Sequence, residues 1–301
     1  MPSLSSAVLR LAASTLGDKL GYHDLGETRR KVEKQQSDPA SYDPPRTLLR
    51  KCAVVERTVS GMPVYEVAPR DGRYEAEVLY LHGGAYVHAI ERSHWLFVGR
   101  LVDRLGCRVT VAQYPLAPDH RYDDTLAMVQ ATYCQALEEV EPARRVVMGD
   151  SAGGGLSLVL AQQLRARQLP QPGNLVLLSP WLDISMTDAM IPALDARDPY
   201  LSTPGLLAAG RMYAGTLDPR DPRVSPIYGR LDGLGRISVF IGTRDVLLAD
   251  SRCLRQRTAQ CGIDIDYVEY EDMPHAWMLQ WIPEGWRALA QITGILQQSQ
   301  T

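Results

Sequence analysis

No stretch of this sequence is apolar for long enough to cross a bilayer, so no membrane-spanning helix is expected. Cysteine is sparse. Cys52, Cys107, Cys134, Cys253 and Cys261 are odd in number, scattered, and form no C-x-x-C pair. That pattern argues against a disulfide framework or a zinc site and suits a reducing cytoplasm. Charge of one sign is also lacking: the formal net charge is −3, which gives no reason to expect nucleic acid or an anionic membrane as partner. Internal repeats and low-complexity tracts are absent. The first residues lack the basic region of a secretion signal, and Arg10 interrupts their apolar character. Instead Leu4, Val8, Leu11 and Thr15 share one face, which predicts an amphipathic helix within Met1 to Gly17.

What is present is ordinary globular composition. The 301 residues, 45% hydrophobic and 22% charged, suffice for one large α/β domain or two small ones with a sizeable core. Residues 1–45 carry helical periodicity and stop at Asp43-Pro44-Pro45. A hairpin follows, Ala53 to Val59 and Pro63 to Ala68, turning at Ser60-Gly61. From there short apolar strands alternate with helices. Strands are expected at Val78–Leu81, Arg108–Tyr114, Arg145–Met148, Leu175–Leu178, Ile237–Ile241 and Ile265–Tyr270. Helices are expected at Ser93–Leu105, Tyr122–Leu137, Ala152–Arg167, Ala249–Cys261 and from about Glu284 onward. Strands so apolar, separated by helices, predict a mainly parallel central sheet covered on both faces.

One interval breaks the rhythm. More than fifty residues separate Ser179 from Ile237, rich in Pro, Asp and Met. A long insertion beside a sheet's C-terminal edge is where a lid sits. The expected division is therefore a helical cap from residues 1–45 and 185–216, and a catalytic domain from 46–184 and 217–301.

The most informative passage is Gly149-Asp150-Ser151-Ala152-Gly153, a G-x-S-x-G between a strand and a helix. Turning from strand to helix within so few residues strains the serine backbone and lifts its hydroxyl above the sheet edge. Small neighbours let adjoining backbone pass, and the helix N-terminus favours a developing anion. A nucleotide-binding turn would instead show G-x-G-x-x-G or G-K-[ST], and neither is present. Upstream, a strand runs into His82-Gly83-Gly84-Ala85-Tyr86. Acyl transfer needs preplaced donors for its oxyanion, and Gly83, Gly84 and Ala152 are the expected N–H groups. His82 reads as an anchor of that loop. With His88 and His94 it forms no metal-ligand pattern.

The chain order Ser, acid, His, each after a strand, then selects Asp245 in Gly242-Thr243-Arg244-Asp245 and His275 in Met273-Pro274-His275. Among rival acids Asp250 ranks next. Asp150 should point away from the imidazole, and Asp272 shares the histidine's own loop. His23 and His120 precede the nucleophile and are disfavoured as the base.

With these residues in view, the chain resembles the hormone-sensitive-lipase-like family of α/β-hydrolases, the bacterial family IV esterases. The matching passages are His82–Tyr86, Tyr114-Pro115-Leu116-Ala117-Pro118-Asp119, Gly149–Gly154, Ser179-Pro180-Trp181-Leu182-Asp183 and Met273-Pro274-His275-Ala276-Trp277. The resemblance implies an α/β-hydrolase fold, a two-part helical cap, short- to medium-chain acyl esters as substrates and no cofactor. Two departures stand out. Ala85 replaces the third glycine of the family's glycine loop, and Asp245-Val246-Leu247 replaces Asp-Pro-Leu after the acid.

The expected function is thus a serine carboxylesterase working on a small ester and water through an acyl-enzyme, with no metal, nucleic acid or stable membrane insertion. The alternatives are an amide or thioester deacylase with the same triad, and a catalytically silent receptor of the same fold. A homodimer stays open. Tyr86, Tyr200, Leu201, Met212 and Tyr213 are the candidate pocket residues, and they fit the core of the cap equally well. Activity should fall on acidification with a midpoint near or somewhat below neutrality.

Overall fold

Eight strands hydrogen-bond into one sheet, in the order β1-β2-β4-β3-β5-β6-β7-β8. They span Cys52–Val59 (β1), Met62–Pro69 (β2), Ala76–Leu81 (β3), Cys107–Ala112 (β4), Arg145–Asp150 (β5), Asn174–Leu178 (β6), Arg236–Gly242 (β7) and Asp266–Tyr270 (β8). β2 runs antiparallel to β1 and β4, and every other pairing is parallel. The sheet is therefore mainly parallel, as expected, with an antiparallel hairpin at one edge. β3, β5 and β6 are buried at every position, because helices cover both faces and no residue of these strands reaches water.

The computed structural model describes Ser3 and residues 25–37, 42–136, 140–141 and 144–298. The helix expected within residues 1–17 falls outside the described residues, Ser3 excepted. Described helices are Leu25–Gln36 (α1), Arg46–Lys51 (α2), Arg92–Leu105 (α3), Tyr122–Ala136 (α4), Ala152–Ala166 (α5), Ile191–Asp195 (α6), Thr203–Ala214 (α7), Leu248–Gln260 (α8) and Pro283–Gln298 (α9). The short α2 was not anticipated. It starts directly after Pro45, whose fixed φ suits a helix entry. None of the described helices is long and apolar enough to cross a membrane.

α3 shows how local sequence makes these elements. Glu91 and His94 form a reciprocal capping box at its start, and Gly106 ends it in the left-handed conformation at φ 61°. Trp95, Val98, Leu101 and Val102 fall on one side and are buried. In the long interval between β6 and β7 lie α6, α7 and a 3₁₀ turn, Pro226–Tyr228. α1 packs against α7. Gln36 of α1 also donates to the carbonyls of Val87 and Ala117, at 2.7 and 3.0 Å, which ties α1 to the loop after β3.

Candidate active site

Parallel strands deliver their C-terminal ends to one rim, and the expected site residues meet there. Ser151 follows β5 directly, with φ 54° and ψ −122°, a strained combination for a residue with a Cβ. The flanking glycines are required sterically. A Cβ on Gly149 would strike the Gly153 carbonyl, and one on Gly153 would strike the Leu81 carbonyl. The first turn of α5 continues with Gly154 and Gly155, closely packed against Pro180 and Trp181. Ser151 thus stands at the positive end of a helix, where the first amides have no intrahelical partner.

His275 follows β8 and Asp245 follows β7. The imidazole Nδ1 lies 2.9 Å from Asp245 Oδ2, and Asp245 is completely buried. Its other oxygen accepts from the Leu247 amide at 2.9 Å. With the carboxylate accepting from Nδ1–H, Nε2 keeps its lone pair. Two contacts steady the histidine loop. Ser179 accepts from the Ala276 amide at 3.1 Å, and Arg100 of α3 donates to the carbonyls of Met278, Leu279 and Gln280 at 3.3, 2.8 and 3.2 Å. Burial alone would lower the His275 pKa, but the carboxylates of Asp245, Asp198 and Asp150 outweigh it and raise it above its ordinary value.

The rival acids are occupied elsewhere. Asp250 accepts from the amides of Leu182 and Asp183 at 2.8 and 3.0 Å, and so holds the loop after β6. Asp272 lies 3.8 Å from Arg244. Asp150 points away from His275 toward Tyr80, Gly83 and His94. Burial opposes its ionisation, yet His94, Tyr80 and His82 together bring its pKa below the ordinary value.

Ser151 and His275 open onto one cavity of about 360 Å³. Gly84, Ala85 and His88 line it from the loop after β3, while Tyr200, Leu201, Leu206 and Ala209 line it from the long interval. Hydroxyl–imidazole contacts in such sites commonly tighten only when substrate binds. Gly83 departs from expectation: its amide donates to Asp150 Oδ1 at 3.0 Å and does not face the cavity. A donor engaged by a buried carboxylate is not available to an oxyanion. The next two residues line the cavity, with φ 120° at Gly84 and 52° at Ala85. Ala152 is where expected, first in α5.

His82 is an anchor, as read from the sequence. Its ring stacks on Tyr114 with centroids 4.4 Å apart, and the Tyr114 hydroxyl donates to the His82 carbonyl at 2.6 Å. Burial, with His94 nearby, lowers its pKa to about 4. Among the described residues no cluster of three metal-ligating side chains occurs. Of the pocket candidates, Tyr200 and Leu201 border the cavity. Tyr86 and Tyr213 do not. They are fully buried and stack on each other, 3.7 Å between centroids and 4° between planes, with Trp181 beside Tyr86. Met212 packs against the same core. Tyr86 and Tyr213 thus take the other place the sequence leaves open for them, in the core. One residue near the triad escaped sequence reading altogether: Asp198, buried beside Asp245, with nothing but an Asp-Pro pair to mark it.

Known proteins share this fold and much of the sequence. Residues 78–279 match the family model described as alpha/beta hydrolase fold. An acetyl-hydrolase of Streptomyces hygroscopicus is 34% identical over 227 residues, 74% of each chain. An esterase of Acinetobacter venetianus is 32% identical over 220 residues, covering 71% of this chain and 72% of that one. The crystal structure of an esterase from the bacterial hormone-sensitive lipase family superposes with a TM-score of 0.84, at 29% identity over 99% of both chains. This chain belongs to the alpha/beta-hydrolase fold family, in its hormone-sensitive-lipase-like branch.

Proposed function

We propose that this hydrolase is a serine carboxylesterase acting on short- to medium-chain acyl esters. The observation that carries the reading is the 2.9 Å contact from His275 Nδ1 to a buried Asp245, with Ser151 on the same cavity wall. His275 Nε2 takes the proton from the Ser151 hydroxyl as its oxygen bonds to the ester carbonyl carbon. The amides of Gly84, Ala85 and Ala152 stabilise the negative oxygen, while Gly83 braces their loop. Asp245 holds the imidazole in the right tautomer and stabilises the imidazolium. The C–O bond to the alcohol breaks, and His275 returns the proton to that leaving oxygen. Water, deprotonated by His275, then attacks the acyl-enzyme. The serine receives its proton back, and the carboxylic acid departs.

Residues 185–216, together with 25–45 of the N-terminal part, act in this scheme as a cap over the catalytic domain. Support comes from Tyr200, Leu201, Leu206 and Ala209 on the cavity wall and from the packing of α1 on α7. The cavity volume suits a small ester. The names of the acetyl-hydrolase and esterase relatives support a short acyl group. Five free cysteines favour a reducing setting, the cytoplasm.

The test is Ser151→Ala assayed on a p-nitrophenyl series from acetate upward, with a phosphonate probe alongside. Turnover should fall by roughly 10⁴-fold or more and labelling should vanish, with the fold intact. Near-normal turnover in the variant would reject the scheme. Turnover confined to amides or thioesters would replace the ester in it.

A further inference from the structure

Asp198 lies between α6 and α7 with only 1% of its surface exposed. Its two oxygens face two different parts of the site. Oδ1 accepts from the amides of Tyr200 and Leu201, at 2.8 and 3.0 Å, and shapes the turn that brings both residues to the cavity. Oδ2 accepts from the amide of Val246 at 2.8 Å, one residue beyond Asp245. The hydrolytic scheme makes no use of this group. A second buried carboxylate beside the first is also electrostatically unfavourable. Three amide donors satisfy its oxygens, but they do not account for a like charge placed next to Asp245. His275 does, since it becomes a cation in the transition state.

Resting on the esterase reading, we infer that Asp198 is a positioning residue: it links the acyl-facing wall at Tyr200 and Leu201 to the loop of Asp245, and its charge supports the protonated His275. The carboxylates acting on the imidazole then come from three places, Asp245 after β7, Asp198 from the long interval and Asp150 at the end of β5. Burial, then Asp245, pushes the Asp198 pKa up to about 6, with His275 and the amides of Leu201 and Val246 opposing the rise.

Asp198→Asn tests the inference in the full-length chain. An asparagine keeps an oxygen for Tyr200 and Leu201 but turns an amide donor toward the Val246 N–H. For p-nitrophenyl acetate, kcat per phosphonate-titrated site should fall about 10- to 100-fold through displacement of the acid loop. The acid midpoint of kcat/KM should move about half a unit lower, because the imidazolium loses a neighbouring negative charge. A midpoint that stays put, with kcat within about twofold, would overturn the inference. If Asp198→Asn shows no cooperative unfolding transition, Asp198→Glu carries the test. It should keep the wild-type midpoint and lower kcat, and a midpoint that falls as if the charge were gone would count against the proposal. An unlabelled, inactive wild type would instead reject the esterase reading, and this inference with it.

Discussion

The amide of Gly83 donates to Asp150 Oδ1 at 3.0 Å, joining the loop after β3 to the residue before Ser151 across 67 positions of sequence. Asp150 also accepts from the Tyr80 hydroxyl and lies 3.4 Å from His94 Nε2, so donors converge on one buried carboxylate. Burial would lower the His94 pKa, but Asp150 raises it above the ordinary value, as expected for a charge-assisted pair. Asp150→Asn would turn a donor toward one of these donors. We expect kcat to fall about 10- to 100-fold with a smaller change in KM, since loop position rather than substrate contact is disturbed. Unchanged kcat in steady-state kinetics would show that Gly83 needs no such brace.

The pH dependence follows from His275. In the proposed scheme its neutral form is the base, and its pKa lies above the ordinary 6.5. Activity should therefore be full above that raised pKa and disappear as pH falls through it. The acid midpoint of kcat/KM then lies above 6.5, on the high side of the range expected from sequence. A profile of log kcat/KM against pH with its midpoint below that value would contradict the arrangement of carboxylates around the ring.

Tyr213 offers a stability test that leaves the chemistry alone. Its ring is stacked on Tyr86 and its hydroxyl is buried without a hydrogen-bond partner among the described residues. Removing an unsatisfied polar group from a core relieves a desolvation penalty of about 1–3 kcal/mol. Tyr213→Phe should leave stability unchanged or raise it by about 1 kcal/mol, with acyl preference unaltered. A clear drop in Tm, or a changed preference along the ester series, would mean that the hydroxyl has a role at the cavity.

The fold was legible wherever periodicity and punctuation agreed. The hairpin at Ser60-Gly61, the buried strands and the helix after Ser151 all fell where apolar runs and glycines placed them. Ser151, Asp245 and His275 can be proposed from sequence because the strand–loop order constrains each of them independently. Gly83 was misjudged because a glycine-rich loop reveals close backbone approach but not which amide faces which partner; that depends on Asp150, distant in the chain. Tyr86 and Tyr213 stay undecided in the sequence because an aromatic that lines a cavity and one that fills the core beneath it look alike in one dimension. Asp198 was invisible for a similar reason. Its importance comes from Val246 and Asp245, both contributed by a later strand's loop.

The crowding of Gly149, Gly153 and Gly155 against the carbonyls of Gly153, Leu81 and Trp181 has an engineering corollary. The floor under Ser151 tolerates no added methyl group, so mutagenesis there would disrupt the fold before altering any selectivity. Libraries seeking bulkier or longer substrates should freeze residues 149–155 and randomise Leu206 and Ala209, which line the cavity from the long interval.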